Sequence, residues 1–214
     1  MSEVRFEVLG RVALVTGAGS GIGRSIAVAL AAVGVAVGIA DKDAARVASA
    51  TEAAQRGGAR VHGSVADVAR ADDIRRVVSE VSDRLGRIDI LVNCAGIFPR
   101  SSVLEMSEEE WDRTSDTNVK SCFLASQAVL PAMIARKWGR IISITSGLGI
   151  TGVARGAHYA ASKGGINALT RSLAKEVMDD GINVNAIAPG HTDTPMMRDA
   201  NTPEYIASVT RTMP

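Results

Sequence analysis

The stretch Thr16-Gly17-Ala18-Gly19-Ser20-Gly21-Ile22-Gly23 decides the fold of this chain. The apolar run Val12 to Thr16 leads into it and is typical of a buried strand, and the pattern from Ile22 to Val33 predicts a helix after it. Glycines let backbone N–H groups approach a phosphate closely, and a helix presents its positive end to an anion. No lysine follows the last glycine, which argues against an ATP-type phosphate loop. This context instead favours a site for the phosphates of a dinucleotide.

Strand and helix patterns alternate along the rest of the chain. Further strands are predicted at Val35 to Ala40, within Arg60 to Gly63, and at Ile88 to Asn93, Arg140 to Thr145 and Ile182 to Ala188. Further helices are predicted at Asp43 to Arg56, Asp72 to Leu85, within Glu108 to Arg136 with a break near Asn118, and at His158 to Met178. Such alternation implies parallel strands, right-handed crossovers and helices on both faces of the sheet. We therefore predict a single α/β domain over residues 1–214, doubly wound, with the Rossmann-type strand order 3-2-1-4-5-6.

The composition argues against several classes of partner. The chain has 214 residues and a net charge of +1, and this balance gives no reason to expect nucleic acid or an anionic membrane. Aromatic residues make up only 3%, which argues against a base-stacking surface. The segment Met1 to Arg11 lacks the apolar core of a signal peptide, and the longest uncharged run, Ser25 to Ala40, is too short to span a bilayer. We expect a cytoplasmic protein with no membrane partner.

The cysteines and histidines do not form a recognisable metal or disulfide pattern. Cys94 and Cys122 are too few for a disulfide framework, and both are expected to be small buried hydrophobes. His62, His158 and His191 lie far apart, and none has a zinc-type spacing with another histidine or a cysteine. No metal is therefore expected.

Asp41 occupies the position at which a dinucleotide site needs an acidic residue. It lies about 20 residues beyond the glycine-rich turn, after the second predicted strand. Its carboxylate can accept hydrogen bonds from the adenosine ribose, and it would repel a 2′-phosphate. The alternative is that Asp41 is an ordinary residue of a surface turn, but its position after the second predicted strand favours the binding role. We predict NAD rather than NADP as cofactor, with a discrimination that the adjacent Lys42 softens.

Tyr159, Lys163 and Ser146 form a candidate group for acid–base chemistry. Tyr159 and Lys163 are four residues apart in a helical pattern, so they share one face, although this spacing also occurs on solvated helices. A nearby cation lowers the pKa of tyrosine from its ordinary value of about 10, which lets the phenol act as a general base toward an alcohol. Ser146 ends the fifth predicted strand, at the edge where doubly wound sheets bind ligands. It could there donate a hydrogen bond to a reacting oxygen.

Taken together, these motifs resemble those of the short-chain dehydrogenase/reductase family, roughly from Gly10 to the end of the chain. Besides the glycine-rich turn, the resemblance rests on Asn93-Cys94-Ala95-Gly96, Asn118, Ser146, Tyr159-Ala160-Ala161-Ser162-Lys163 and Pro189-Gly190. Most family members carry asparagine where this chain has Cys94, which we expect to pack inward. Family members also continue beyond Pro214, so the resemblance implies a C-terminally truncated chain that lacks the usual seventh strand.

The resemblance implies a role for each matched residue. Tyr159 would be the acid/base, Lys163 would lower its pKa and hold the nicotinamide ribose, and Ser146 would orient the substrate oxygen. Asn118 would keep a kink in its helix and hold a water in a proton relay. The residues implied for NAD binding, in addition to Tyr159 and Lys163, are Gly17, Ser20, Gly21, Ile22, Gly23, Asp41, Asp67, Val68, Asn93, Ala95, Gly96, Pro189, Gly190, Thr192 and Thr194. The expected substrate contacts, in addition to Ser146 and Tyr159, are Phe98, Leu148, His191, Met196 and Met197.

The predicted function is hydride transfer between NAD(H) and a secondary alcohol or ketone, by an alcohol dehydrogenase or carbonyl reductase. One alternative is an NADPH-dependent 3-oxoacyl thioester reductase, against which Asp41 argues. Another is a non-catalytic dinucleotide-binding protein, against which the intact Ser146, Tyr159 and Lys163 argue. A serine hydrolase lacks support because no Gly-x-Ser-x-Gly motif is present. The resemblance further implies a homo-oligomer, a dimer or homotetramer built on helices around Ser121 to Ala135 and Tyr159 to Met178.

Overall fold

A parallel sheet forms the centre of the computed structural model, which describes residues 8–212. Its strands are β1 (Val12–Thr16), β2 (Ala36–Asp41), β3 (Val61–Val65), β4 (Ile90–Asn93), β5 (Gly139–Ile144) and β6 (Ile182–Ile187). Their order across the sheet is β3-β2-β1-β4-β5-β6, and every neighbouring pair is parallel. The predicted fold class and strand order are therefore confirmed.

Helices connect the strands and add three elements that the sequence patterns did not indicate. They are α1 (Gly21–Ala32), α2 (Ala44–Gln55), α3 (Ala71–Leu85), α4 (Glu108–Ser115), α5 (Ser121–Ala135), α6 (Leu148–Thr151), α7 (Ala157–Glu176), α8 (Pro195–Ala200) and α9 (Pro203–Thr212). A π-helical turn, Asp116–Lys120, joins α4 to α5, and a 3₁₀ turn, Met178–Asp180, precedes β6. The short helix α6 and the helices α8 and α9 are the unpredicted elements. The break expected near Asn118 takes the form of the π-helical turn.

The two faces of the sheet carry separate apolar cores, because successive side chains of a strand point to opposite faces. Along β1, Val12 and Leu14 face one core, whereas Ala13 and Val15 face the other. The core on the side of Leu14 receives side chains from α3, α5 and α7, and that on the side of Val15 receives them from α1 and α2. Burial on both faces explains why the strands read as continuous apolar runs.

The strand β6 forms one edge of the sheet in the described part of the chain. It pairs with β5, and no strand between residues 8 and 212 pairs with its other side. Ile182 and Val184 are buried, but Ile187 is 51% exposed. The start of the segment Met1 to Arg11, which the sequence predicts to lack a signal peptide, lies outside the described residues. None of the described helices is long and apolar enough to cross a membrane.

Candidate functional site

Three segments that carry the predicted site residues leave the sheet at the same edge. The glycine-rich turn follows β1, the segment Asn93 to Gly96 ends β4, and Ser146 follows β5. Because these strands are parallel neighbours, their carboxyl ends lie side by side. The hydroxyl of Thr16 accepts hydrogen bonds from the backbone N–H groups of Cys94 and Ala95 at 3.2 and 3.4 Å, which ties the first two segments together.

The helix α7 brings Tyr159 and Lys163 to the same edge. Both side chains are buried, and the Lys163 Nζ atom lies 5.7 Å from the centre of the Tyr159 ring. The Ser146 side chain lies close enough to the Tyr159 phenol to lower the pKa of that phenol. The Ser146 hydroxyl also accepts a hydrogen bond from the backbone N–H of Leu148 at 3.2 Å. Ser146, Tyr159 and Lys163 are thus brought together by the loop after β5 and the helix α7.

The direction of the Tyr159 pKa differs from the expectation. Burial raises the pKa of the phenol above its ordinary value, and the nearby Ser146 side chain opposes this shift only in part. Lys163 is not among the causes of this shift, and its Nζ atom donates a hydrogen bond to the carbonyl oxygen of Ile144 at 2.7 Å. Burial also lowers the pKa of Lys163. The protein without cofactor therefore favours the neutral phenol.

Asn118 is fully buried within the π-helical turn and is neither an ordinary surface residue nor a helix cap. Its Oδ1 atom accepts a hydrogen bond from the Ile97 N–H at 2.8 Å, and its Nδ2 donates to the Ile97 carbonyl at 3.0 Å. The same Nδ2 donates to the Ser162 hydroxyl at 2.9 Å. Asn118 thus links the segment after β4 to α7, in the turn before Lys163. A Cβ atom on Gly96 would lie 3.3 Å from Asn118 Oδ1 and 3.6 Å from Lys163 Nζ, so the backbone at Gly96 lies close to both side chains.

The glycine-rich turn has the shape and the polarity that a dinucleotide phosphate requires. Gly17 has a φ of +62°, and a Cβ atom there would lie 2.6 Å from the Ala95 Cα atom. Gly21, at the start of α1, has a φ of +51°. The N-cap residue Ser20 makes no side-chain capping bond, and the first turn of α1 has no acidic residue. The positive end of α1 is therefore free to receive an anion.

Asp41 is the last residue of β2 and reaches back to this turn. Its Oδ2 atom accepts a hydrogen bond from the Gly19 N–H at 3.0 Å, and its Oδ1 accepts one from the Asp43 N–H at 3.2 Å. A Cβ atom on Gly19 would lie 2.7 Å from the Arg46 Cβ atom, so Arg46 also borders the turn. The sequence reasoning missed Arg46, although its position in the first turn of the helix after Asp41 was a usable signal.

Asp67, Val68 and Asn93, which are also expected to bind cofactor, lie after β3 and at the end of β4. Val68 is buried in the core, whereas Asp67 is exposed and accepts a hydrogen bond from the Ala69 N–H. Asn93 is buried and donates to the Ser143 hydroxyl at 3.3 Å. Cys94 packs partly against the core as expected, and burial raises the pKa of its thiol to about 11. A thiol with this pKa remains protonated near neutral pH.

The segment from Pro189 to Ala200 lies beside the glycine-rich turn. A Cβ atom on Gly21 would lie 3.2 Å from the Thr194 methyl group, and the Thr194 hydroxyl caps α8 by accepting the Met197 N–H. Thr192 donates within the segment to the Gly190 carbonyl, and the His191 ring lies 6.1 Å from that of Tyr205. No hydrogen bond or ring contact in the described part of the chain joins this segment, including Met196, to Tyr159.

Phe98, one of the expected substrate residues, packs its ring against that of Tyr159. The two ring centres are 4.1 Å apart, with a tilt of 30°. Arg100, which the sequence reasoning did not single out, places its guanidinium 5.0 Å from the centre of the Phe98 ring. Two surface cavities, of about 400 and 420 Å³, are lined by other residues, the first at Leu9 to Arg11 and Asp89 and the second between α3 and α5. Between residues 8 and 212 no three histidine, cysteine or acidic residues could together hold a metal ion.

Comparisons with known proteins bear directly on this arrangement. The sequence model for short chain dehydrogenases matches residues 11–205. The chain belongs to the short-chain dehydrogenase family. It is therefore an oxidoreductase of a family that binds nicotinamide dinucleotides and acts on small molecules.

Several relatives have named activities. A 3-oxoacyl-[acyl-carrier-protein] reductase from Thermotoga maritima is 39% identical over 187 residues, which cover 87% of this chain and 76% of that protein. The crystal structure of levodione reductase shares 35% identity with a TM-score of 0.87, and covers 91% of this chain and 76% of that one. The crystal structure of NAD⁺-bound xylitol dehydrogenase shares 33% identity with a TM-score of 0.83, and covers 86% and 72% of the two chains.

Proposed function

We propose that this short-chain dehydrogenase transfers a hydride between NAD(H) and a secondary alcohol or ketone, with Tyr159 as the general acid/base. The observation that carries the proposal is the buried Tyr159 phenol, which lies near Ser146 at the sheet edge where the glycine-rich turn lies. An acid/base must lie within hydrogen-bond reach of the group that it protonates. Ser146 and Tyr159 together present two hydroxyl groups to one substrate oxygen.

The residues around the glycine-rich turn fit a nicotinamide dinucleotide. Gly17 to Gly23 and the open end of α1 would hold the phosphates, and Asp41 would accept hydrogen bonds from the adenosine ribose. When bound, the nicotinamide supplies the hydride acceptor or donor. The remaining residues proposed for NAD binding are Asp67, Val68, Asn93, Ala95, Gly96, Pro189, Gly190, Thr192 and Thr194.

Tyr159 moves the proton in this scheme, and its neighbours position the substrate oxygen. In the direction of alcohol oxidation, Tyr159 accepts the hydroxyl proton, and in ketone reduction it donates that proton to the carbonyl oxygen. Ser146 donates a hydrogen bond to the same oxygen and orients it. Asn118 fixes the segment after β4 against α7 through Ile97 and Ser162. Because burial raises the pKa of Tyr159, the neutral phenol at ordinary pH is ready to act as the acid in reduction.

The choice of NAD rests on Asp41, and a second candidate function competes with it. An NADPH-dependent 3-oxoacyl thioester reductase has the support of the Thermotoga maritima relative and of Arg46, which borders the glycine-rich turn beside Asp41. The Asp41 carboxylate favours NAD because it would meet a 2′-phosphate with like charge. A single domain over residues 1–214, a homo-oligomer and a cytoplasmic location remain predictions that accompany the proposal.

Cofactor binding is the first test. NADH and NADPH are titrated into the wild type, Asp41→Asn and the control Asp43→Asn, which loses the same charge two residues away but keeps a residue able to cap α2. We expect tighter binding of NADH by the wild type, and a loss of this preference by about tenfold in Asp41→Asn only. Tighter binding of NADPH by the wild type would favour the thioester reductase.

Catalysis by Tyr159 is the second test. Rates of NADH-dependent reduction are measured over a panel of ketones for the wild type, Tyr159→Phe and the control Tyr205→Phe. We expect Tyr159→Phe to lose about 10²- to 10⁴-fold in kcat while it still binds NADH. Cofactor binding without turnover of any alcohol, ketone or 3-oxoacyl thioester would instead support a non-catalytic dinucleotide-binding protein.

A further inference from the structure

Phe98 contacts both the Tyr159 ring and the guanidinium of the exposed Arg100. The rings of Phe98 and Tyr159 are 4.1 Å apart at their centres, and the Arg100 guanidinium lies 5.0 Å from the Phe98 ring on the exposed side of the site. A guanidinium within about 6 Å of a ring centre is attracted to it electrostatically. The cation is therefore held next to the ring that packs against Tyr159.

The positive charge of Arg100 has no acidic partner in the described part of the chain. Between residues 8 and 212, no carboxylate oxygen lies within 4.0 Å of its side-chain nitrogens. The neighbouring cation, Arg155, is paired instead with Glu105 at 3.3 Å. The carbonyl of Arg155 accepts a hydrogen bond from the Ser101 N–H at 3.0 Å, which fixes the loop that carries Arg100 against the loop that precedes α7.

The other cation of the site cannot take the place of Arg100. Lys163 is buried behind the Tyr159 ring, and its Nζ atom donates to the Ile144 carbonyl. Burial lowers its pKa, so an anionic substrate group would gain little from it. Arg100 stays charged at any ordinary pH and offers a planar fork of N–H donors that matches a carboxylate or a phosphate.

We propose that Arg100 binds an anionic group of the substrate, so that the enzyme prefers carbonyl compounds that carry a carboxylate or a phosphate a few bonds from the reacting carbonyl. This inference rests on the proposed function, because it assumes that the substrate carbonyl oxygen binds next to the Tyr159 phenol. Phe98 has two roles in this proposal, since it packs against Tyr159 and positions the Arg100 guanidinium. Arg100 is thus a residue that determines specificity and takes no proton in the reaction.

The test compares charged probes with neutral probes of similar shape. Reduction by NADH is measured with 4-oxopentanoate and its amide, and with the phosphate ester of 1-hydroxypropan-2-one and the corresponding methyl ether. The first pair tests a carboxylate and the second a phosphate. The enzymes are the wild type, Arg100→Gln, Arg100→Lys and the control Arg155→Gln, which removes another exposed cation from the adjoining loop. Calorimetric binding of each probe to the NADH complex is measured in parallel.

We expect at least one anionic probe to exceed its neutral counterpart in kcat/KM and in affinity by about ten- to a hundredfold in the wild type. Arg100→Gln should lose this difference while the neutral probes are unaffected, Arg100→Lys should retain part of it, and Arg155→Gln all of it. Equal binding of charged and neutral probes by the wild type, or equal losses for both in Arg100→Gln, would overturn the proposal. Failure of the proposed function is a separate result, namely no NADH binding or no effect of Tyr159→Phe on any turnover.

Discussion

The His158 Nε2 atom lies 3.0 Å from the Glu110 Oε1 atom, which joins the first turn of α7 to α4 immediately beside Tyr159. The His158 side chain is fully buried, and Glu110 is 24% exposed. The other ring nitrogen, Nδ1, has no hydrogen-bond partner within residues 8–212. With a proton on Nε2, the imidazole donates a hydrogen bond to the Glu110 carboxylate. Glu110 thus accepts the hydrogen bond of His158, the residue immediately before Tyr159.

Loss of the Glu110 carboxylate should destabilise the protein. In Glu110→Ala the buried His158 Nε2 loses its acceptor, which should lower the free energy of unfolding by about 1–3 kcal/mol. Glu110→Gln keeps an acceptor and should recover most of this loss. Urea denaturation measures both, with Glu108→Ala as control because it removes an exposed carboxylate from the same first turn of α4. Equal losses in Glu108→Ala and Glu110→Ala would contradict the assigned contact.

The stability of the protein without cofactor should depend on pH through Lys163. Burial lowers its pKa, so between this lowered pKa and the ordinary value of 10.5 the unfolded chain binds a proton that the folded chain does not. The stability of the wild type should therefore rise with pH through this range, relative to Lys163→Met, by at most about 1.4 kcal/mol per pH unit. This gain in stability should be lost again as the pH falls toward the lowered pKa of Lys163.

Urea denaturation of the wild type and Lys163→Met between pH 7 and 9.5 measures this effect. The range stays below the ordinary pKa of tyrosine, about 10, so the phenol of Tyr159 contributes little. Lys175→Met is the matched control, since Lys175 lies exposed on the same helix. A difference between wild type and Lys163→Met that stays constant over this range would mean that Lys163 remains protonated in the folded protein.

Gly17 should tolerate a side chain much less well than Gly58 does. Both residues have positive φ, +62° and +78°, but a Cβ atom on Gly17 would lie 2.6 Å from the Ala95 Cα atom, whereas Gly58 has nothing within 4 Å. Gly58→Ala should cost about 1 kcal/mol of backbone strain. Gly17→Ala adds a clash with backbone, and we expect about 2–4 kcal/mol in urea denaturation. Similar losses in the two variants would show that backbone strain alone matters at Gly17.

Exchange of the carboxylate at Asp41 should shift the preference between cofactors toward NADPH. Asp41→Ser removes the negative charge beside the glycine-rich turn and leaves Arg46 next to that turn. We expect the ratio of the Kd values for NADPH and NADH to fall by about tenfold or more. In the control Asp41→Ser/Arg46→Gln this fall should be smaller. An unchanged ratio in Asp41→Ser would mean that Asp41 does not face the ribose.

The strands were the easiest part of the molecule to predict, and the errors in the predicted boundaries have local causes. The prediction for Val12 to Thr16 matches β1 because a fully apolar run there ends at a glycine. The strand predicted from Ile88 begins at Ile90 instead. Asp89 there accepts a hydrogen bond from the Val12 N–H through its side chain, which replaces one backbone contact between the two strands. The helix α8 was missed although Thr194-Pro195 is a typical cap followed by a typical first residue.

The site shows where sequence reasoning reaches its limit. The residue types and spacing of Ser146, Tyr159 and Lys163 indicate the chemistry. The direction in which a pKa shifts, however, depends on burial and on the hydrogen-bond partner of each atom. Lys163 selects the Ile144 carbonyl, which no spacing rule predicts. The stack of Arg100 on Phe98 is likewise a contact within one loop, and no regular pattern marks it.

The π-helical turn Asp116–Lys120 makes the site sensitive to the length of the chain as well as to its side chains. Such a turn is an α-helix with one additional residue, and each residue advances an α-helix by about 100°. Deletion of any one residue of the turn would permit an uninterrupted α-helix, which would swing α4 around the axis of α5 and carry Glu110 away from His158. Single-residue deletions here should therefore be harmful even where every substitution at the same position is mild.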